Sequence, residues 1–387
     1  MDFYQEYNKM RPYNDSEVGD AIARLVKNKN IKDILSFLYP DRNAIELIGS
    51  FEKIKTVKEF QSFFSDYAVK EIIRKTSDGL TVSGIENLDS TKPYLFIANH
   101  RDIVLDSAIM QTVLIANHAD TSQITFGDNL MSSNFIVDLG KLNKMFTFYR
   151  SGSKIQLYRN ALLHANYIHH IITKEKQSVW IAQRDGRTKN GDDKTQIALI
   201  KMLTMGQTNA KVALMDLNII PVVISYELEP CDAEKVNEVY QSQIGMYKKT
   251  EGEDLQSILK GIKGYKGRIH MAFGSPLNKA LEESYTRIEP CVNEISNFVI
   301  CELDEQFHKN YALWPFNYIA ADILLENEEF ANHKYTTIQK LEFTKYMNSK
   351  IESLQGDKKI LTKLFLSMYA TPVFNAKSIA NIYKSHN

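Results

Sequence analysis

Cysteine is scarce in this chain: there are three, Cys231, Cys291 and Cys301. An odd number with no C-x-x-C spacing argues against both a disulfide framework and a zinc site, and a reduced setting is the simplest reading. Net charge is also lacking, because 47 Lys and Arg residues balance 47 Asp and Glu residues. No overall field therefore draws the chain to nucleic acid, and any attraction to phosphate has to be local. A run of ~20 apolar residues, the length that spans a bilayer, does not occur. The longest candidates, "SAIMQTVLIANHA" and "ALWPFNYIAA", are too short and read as buried helix, so contact with a bilayer would be peripheral. The first residues, "MDFYQEYNKMRPYNDSE", place charges where a signal peptide needs an apolar core, so export is not expected.

What is present is an ordinary globular composition, 44% apolar over 387 residues, which is long for one core. Residues 1–78 read as a helical region. Val18, Ile22, Leu25, Val26, Ile31, Leu35 and Leu38 recur at roughly helical spacing before Pro40, and a second stretch, "NAIELIGSFEKIKTVKEFQSFFSDYAVKEIIRK", packs its apolar side on the domain after it. From Leu80 the pattern changes to short β-prone runs, "LTVSGI", "YLFIA", "QITFG", "FTFY", "SVWIA", "IIPVVISY" and "RIHMAFG", separated by longer helical stretches. This predicts an α/β domain over residues 79–277, with a mostly parallel or mixed sheet covered by helices. Residues 278–387 lose the strand pattern and read as a C-terminal helical region, with "TRIEPCVNEISNFVICELDEQFHKNY" and "TTIQKLEFTKYMNSKIESL" as helices. Lys248 to Arg268, mixing charge with Gly, reads as a surface insertion before the last strand.

The chemistry is concentrated in "FIANHRDIVLDSA". Ligands of open α/β sheets sit beyond the carboxyl ends of strands, and His100 falls immediately after "YLFIA". His100-Arg101-Asp102 matches the catalytic loop of protein kinases, but the metal-binding Asn of that pattern would fall on Ser107. No D-F-G follows and no G-x-G-x-x-G precedes. Without metal ligands or a phosphate-covering loop, phosphoryl transfer has no means to neutralise spreading charge. His100 with Asp106 instead suits acyl transfer, the imidazole as base and the carboxylate as the group that fixes its tautomer. "DIVLDSAIMQTVLIA" reads as a helix starting at about Asp102, with Asp102 suited to an N-cap. His164, His169 and His170 show no pair at the i, i+4 spacing of a helical metal site and read as ordinary helix residues.

Four blocks, in order and each at a strand edge, make the region from about Val82 to Pro276 resemble the glycerolipid acyltransferase family. They are "VSGIENLDSTKPYLFIANHRDIVLD"; "GDNL" with "NKMFTFYR"; "VWIAQRDGRTKNGDDKT"; and "IIPVVISYE". The third block resembles an acid-Gly pair followed by Arg and Ser or Thr. Two spacings depart from the family's: five residues rather than four separate His100 from Asp106, and "DGR" holds one residue fewer than usual between its acid-Gly pair and its Arg.

The resemblance implies an O-acyltransferase that needs no cofactor or metal, with His100 and Asp106 as the catalytic pair. Its donor would be acyl-CoA or acyl carrier protein, and its acceptor 1-acylglycerol 3-phosphate, glycerol 3-phosphate or a non-phosphate lipid precursor. An alternative is a non-catalytic lipid-binding or scaffolding protein of the same fold. Arg101, Arg150, Asp185, Gly186, Arg187, Lys189 and Pro221 are the implied substrate-binding residues. Arg150, Arg187 and Lys189 would gather the phosphate, Asp185 would orient Arg187 or a loop amide, and Pro221 would shape a strand end or touch the acyl chain. The tetrahedral oxyanion would rest on backbone N–H groups near a helix start. The protein is expected in the cytoplasm, peripherally associated with the inner face of the membrane, in phospholipid biosynthesis.

Overall fold

The computed structural model describes residues 7–28, 31–32, 35–36, 39, 42–131, 133–250, 252–284 and 290–385. Leu38 and the helix break expected at Pro40 lie outside them. The seven β-prone runs form seven strands: β1 Leu80–Ser83, β2 Leu95–Ala98, β3 Gln123–Gly127, β4 Met145–Phe148, β5 Val179–Ala182, β6 Ile219–Tyr226 and β7 Ile269–Phe273. They join in one sheet of order β1-β7-β6-β2-β5-β3-β4. Every neighbouring pair is parallel except β6 with β7. The sheet is thus mixed and mostly parallel, as its alternation with helical stretches predicts.

Helices cover both faces, which is why β2 and the eight-residue β6 are buried along their whole length. Successive side chains of a strand point to opposite faces. Leu95 and Ile97 of β2 accordingly join a core with Ile168, Ile200 and Val299, from helices Lys154–Thr173, Ile197–Leu203 and Val292–Asn310. Phe96 and Ala98 face the other way, onto Ile109 and Val113 of helix Leu105–Ala116 and Ile72 of helix Tyr67–Thr76. Each fully buried Leu, Ile or Phe contributes roughly 1.5–3 kcal/mol. β2 gains this on both faces, so the strand that carries His100 is firmly fixed.

The N-terminal helices Asp15–Lys27 and Ala44–Phe51 pack with Leu142, at the end of helix Asn134–Leu142, through Val18, Ile22, Leu47 and Phe51. At the other end of the chain, helices Pro315–Leu324, Thr337–Glu352 and Lys358–Ser385 cluster around Phe343, Phe365 and Tyr369. They seat on Val236 and Tyr240 of helix Asp232–Gln243, which comes after β6.

The last helix continues through Pro372, a residue that removes one N–H and normally breaks a helix. The carbonyl left without its usual donor belongs to Met368. Gly191, in the loop after β5, comes against that carbonyl so closely that a Cβ on Gly191 would lie 2.2 Å from Met368 O. Only a glycine allows the C-terminal helix and the loop of the third block to meet this way.

Candidate active site

Because β2, β5, β3 and β4 are adjacent and parallel, the segments leaving their carboxyl ends gather at one edge of the sheet. His100 follows β2, Gly127 ends β3 with Asp128 to Leu130 after it, Arg150 follows β4, and Asp185 to Lys189 follow β5. Together they line a cleft of about 670 Å³ whose apolar wall includes Ile103, Phe126, Leu130 and Trp180.

At its base His100 Nδ1 lies 3.0 Å from Asp106 Oδ2. The His100 side chain is 13% exposed and that of Asp106 only 2%. Asp106 Oδ2 also accepts the backbone N–H groups of Arg101 and Asp102, at 2.6 and 2.8 Å. Its Oδ1 accepts the Tyr226 hydroxyl at 2.9 Å. A carboxylate held by four donors is fixed in place and acts as acceptor toward Nδ1–H, which leaves the lone pair on Nε2. The five-residue spacing still serves, because the helix begins at Leu105 rather than at Asp102 and Asp106 falls in its first turn. Trp180 meets the imidazole edge to face, ring centres 6.0 Å apart, and the Thr188 N–H donates to the His100 carbonyl at 2.7 Å.

The Arg101 side chain does not line the cleft. It is fully buried and bonded within the protein: Nη1 donates to Glu229 Oε1 at 2.6 Å, and Nη2 donates to Asp193 Oδ2 at 2.6 Å and to Gly191 O at 3.3 Å. The guanidinium also lies over the Tyr311 ring, 4.8 Å from its centre. Asp193 accepts further bonds from Asn99 Nδ2 and Thr188 Oγ1, so one buried carboxylate joins the loop after β2 to the loop after β5. Glu229 also receives Lys235 Nζ at 2.8 Å, and its N–H donates to the Tyr369 hydroxyl of the last helix. Burial would push a lone guanidinium toward neutrality, but Asp193 and Glu229 keep Arg101 charged.

Pro221 does not line the cleft either. It is buried in β6 opposite Ile97 and packs against Gly274, five residues before the carboxyl end of its strand. Of the cleft's cations, three are already paired. Arg150 Nη1 donates to Asp185 Oδ1 at 2.5 Å, Lys189 pairs with Glu238, and Lys249 with Asp254 at 2.6 Å. Asp185 therefore orients Arg150 rather than Arg187. Arg187, beside Gly186, donates from Nη2 to Ser257 Oγ at 3.3 Å, while Nη1 is shielded from solvent and bonded to no protein atom. Among the described residues it is the cleft cation without an ion pair.

Asp102 caps the helix, as its residue type predicts, accepting Val104 N–H and Leu105 N–H at 3.0 and 2.9 Å. Burial, and then the charge of Asp106, raise its carboxyl above the usual range. Gly261 of helix Glu253–Lys263 lies directly against it; a Cβ there would be 2.1 Å from Asp102 Oδ2. Four N–H groups around this helix start are thus taken by Asp102 and Asp106 and do not face an oxyanion. The segment Lys248 to Arg268, read as a surface insertion, begins instead as a cleft wall, since its Lys249, Glu253 and Asp254 line the cleft beside Tyr247. Tyr226, Asp193 and Glu229 carry no signal in the sequence that singles them out. Asp193 stands within the third block and Tyr226 near the end of the fourth, but nothing in either run marks a side chain that reaches another strand's loop.

His164 has a structural post. It stacks on Phe148 with ring centres 3.9 Å apart, and its Nε2 accepts the Tyr149 N–H at 3.1 Å, fixing the turn that presents Arg150. Burial lowers its pKa to about 4. The neutral ring therefore contributes stability that is full above the unfolded value near 6.5 and is lost as pH falls toward about 4, roughly 3 kcal/mol in all. His164→Gln should flatten the fall in stability between those pH values, which urea unfolding at a series of pH values measures. An unchanged slope would place the acid sensitivity elsewhere. His169 Nε2 lies 2.8 Å from Leu203 O, and among the described residues no group of three or more His, Cys, Asp or Glu side chains could hold a metal ion.

Residues 79–225 match the protein family described as Acyltransferase. No curated protein sequence matches the chain significantly. Among solved structures, the 1-acyl-sn-glycerophosphate (LPA) acyltransferase PlsC from Thermotoga maritima is similar over 75% of this chain and 94% of its own, at 12% identity and a TM-score of 0.35.

Proposed function

We propose that this chain, whose residues 79–225 match the Acyltransferase family, moves a fatty acyl group from a thioester to a hydroxyl of a glycerol-type lipid precursor. The donor is acyl-CoA or acyl carrier protein, and 1-acylglycerol 3-phosphate is the leading acceptor. The observation that carries this reading is the His100–Asp106 pair at the base of the cleft, with an unpaired guanidinium on the wall above it.

His100 Nε2 takes the proton of the acceptor hydroxyl as its oxygen attacks the thioester carbonyl carbon. Asp106 stabilises the imidazolium that forms. The tetrahedral oxyanion then collapses, the C–S bond breaks, and the imidazolium proton goes to the leaving thiolate. Ester and free thiol are the products, and no acyl-enzyme forms. Ile103, Phe126, Leu130 and Trp180 offer the acyl chain an apolar wall.

Arg187 is the group for the acceptor's phosphate, because Arg150, Lys189 and Lys249 would each first have to leave a carboxylate. A contact kept from ground state to transition state is uniform binding, so its loss raises KM more than it lowers kcat. Arg187→Ala should raise the KM of a phosphate-bearing acceptor by about tenfold to more than a hundredfold, as expected for a charge-assisted bond of roughly 1.5–3 kcal/mol. The donor's KM should change little, and Arg187→Lys should recover part of the loss, since an ammonium lacks the planar fork. The comparison to make is KM for phosphate-bearing and neutral acceptors across these variants. Equal effects on both would assign Arg187 to holding the loop and remove the support for a phosphate-bearing acceptor.

A further inference from the structure

Two exposed loops flank the mouth of the cleft and share an unusual composition. Every residue from Arg150 to Arg159, "RSGSKIQLYR", is exposed, including the first turn and a half of helix Lys154–Thr173. Ile155 is 69% exposed and Tyr158 64%, with Leu157 also exposed. Facing it, residues 242–250, "SQIGMYKKT", expose Ile244 and Met246.

Both loops carry basic residues, Arg150, Lys154 and Arg159 in the first and Lys248 and Lys249 in the second; Arg150 and Lys249 are held by Asp185 and Asp254, and Lys154, Arg159 and Lys248 are exposed outside those pairs. In a chain whose charges balance overall, this pairing of bare apolar side chains with one sign of charge is local. The two loops belong to one rim. Ser151 donates to Asp128, the neighbouring Asn129 donates to Asp254 at 3.2 Å, and Asp254 pairs with Lys249. Arg150, Ser151, Tyr247 and Lys249 all line the cleft between them.

We infer that this rim docks on an anionic lipid bilayer. The apolar side chains enter the headgroup boundary, Lys154, Arg159 and Lys248 meet lipid phosphates, and the cleft mouth opens onto the surface that holds its acceptor and product. None of the described helices is long and apolar enough to cross a membrane. Attachment through shallow insertion plus charge is the mode that such side chains support. Exposed apolar side chains set among basic ones mark an interaction site, and Lys154, Arg159 and Lys248 favour an anionic surface over a neutral one. The inference deepens the reading above, that the cleft takes a lipid acceptor, and rests on it for the direction in which the cleft opens.

The test is co-sedimentation of the full chain with vesicles of phosphatidylcholine alone or mixed with phosphatidylglycerol. Wild-type protein should bind the mixed vesicles, and more weakly as salt rises. Ile155→Gln combined with Tyr158→Ser should lower the partition coefficient by at least about tenfold, as should Met246→Gln with Ile244→Gln. Lys154→Glu with Arg159→Glu should remove the preference for phosphatidylglycerol. Circular dichroism and turnover on a short-chain, water-soluble acceptor check that each variant is folded. Vesicle binding by the rim with no turnover on any acceptor would uphold the docking surface and reject the enzymatic reading. Turnover with no vesicle binding, or binding unaffected by the rim variants, would overturn the docking surface alone. Concentration-dependent self-association in sedimentation velocity, lost in the same variants, would also overturn it, by assigning the rim to a second copy of the chain.

Discussion

His100→Ala should lower turnover by about 10²–10⁴-fold while leaving the fold intact, the loss expected when a positioned general base is removed. The side chain lines the cleft with one nitrogen committed to Asp106. Its removal leaves no imidazole to accept the proton, but it disturbs little of the core, because the residue's structural tie is through its backbone carbonyl to Thr188. Asp106→Asn should cost more than Asp102→Asn. The first replaces the acceptor of Nδ1–H with a group that can present an amide donor, and it disturbs the bonds to Arg101, Asp102 and Tyr226. The second weakens a helix cap. Single-turnover rates with purified variants provide the measurement. A wild-type rate for His100→Ala would remove it from the reaction, and the reverse order of the two asparagine variants would transfer the orienting role to Asp102.

The largest stability effect should come from Arg101→Met. The guanidinium is wholly buried between Asp193 and Glu229, so its loss leaves carboxylates in the interior without their counter-charge. Breaking one side of such a pair typically costs about 3–5 kcal/mol. Urea unfolding should show the midpoint falling at nearly constant slope. Asp193→Asn, which keeps the shape, should cost less than Arg101→Met, because Lys235 and Arg101 still share Glu229. If Arg101→Met unfolds at the wild-type midpoint, the network does not hold the loop. In whatever fraction stays folded, kcat should fall and the acceptor's KM should rise together, since the network ties the loop of His100 to the loop of Arg187.

The sheet was legible because each strand announces itself by a short run of Val, Ile, Phe and Tyr between helical stretches, and because carboxyl-end loops of parallel strands converge. His100 and Asp106 could be paired from their position after "YLFIA" and at the start of a helix. The role of Arg101 was not legible. Its partners Asp193 and Glu229 are 92 and 128 residues away, and an arginine beside a candidate histidine base reads equally well as ligand or brace until burial is known. Pro221 was misplaced for a related reason: a residue in a motif run is assigned to the ligand unless its register in the sheet is known. Lys249, Glu253 and Asp254 of the cleft wall belong to the segment Lys248 to Arg268, which read as a surface insertion because charge and glycine mark exposed loops, and nothing local shows that such a loop folds over a site. The helix through Pro372 escaped notice because proline ordinarily ends a helix; the close approach of Gly191 to Met368 O is a tertiary contact.

The most direct test of the central claim is acceptor-dependent thiol release. Purified wild-type protein would be mixed with acyl-CoA or acyl carrier protein thioester, with and without 1-acylglycerol 3-phosphate, glycerol 3-phosphate or a neutral monoacylglycerol. Thiol release should be slow with donor alone. It should rise steeply with an acceptor, fastest with 1-acylglycerol 3-phosphate, match the ester formed mole for mole, and vanish in His100→Ala. Release that never depends on an acceptor, or a wild-type protein that binds lipid and releases no thiol with any of them, would contradict acyl transfer and leave a lipid-binding protein on this fold.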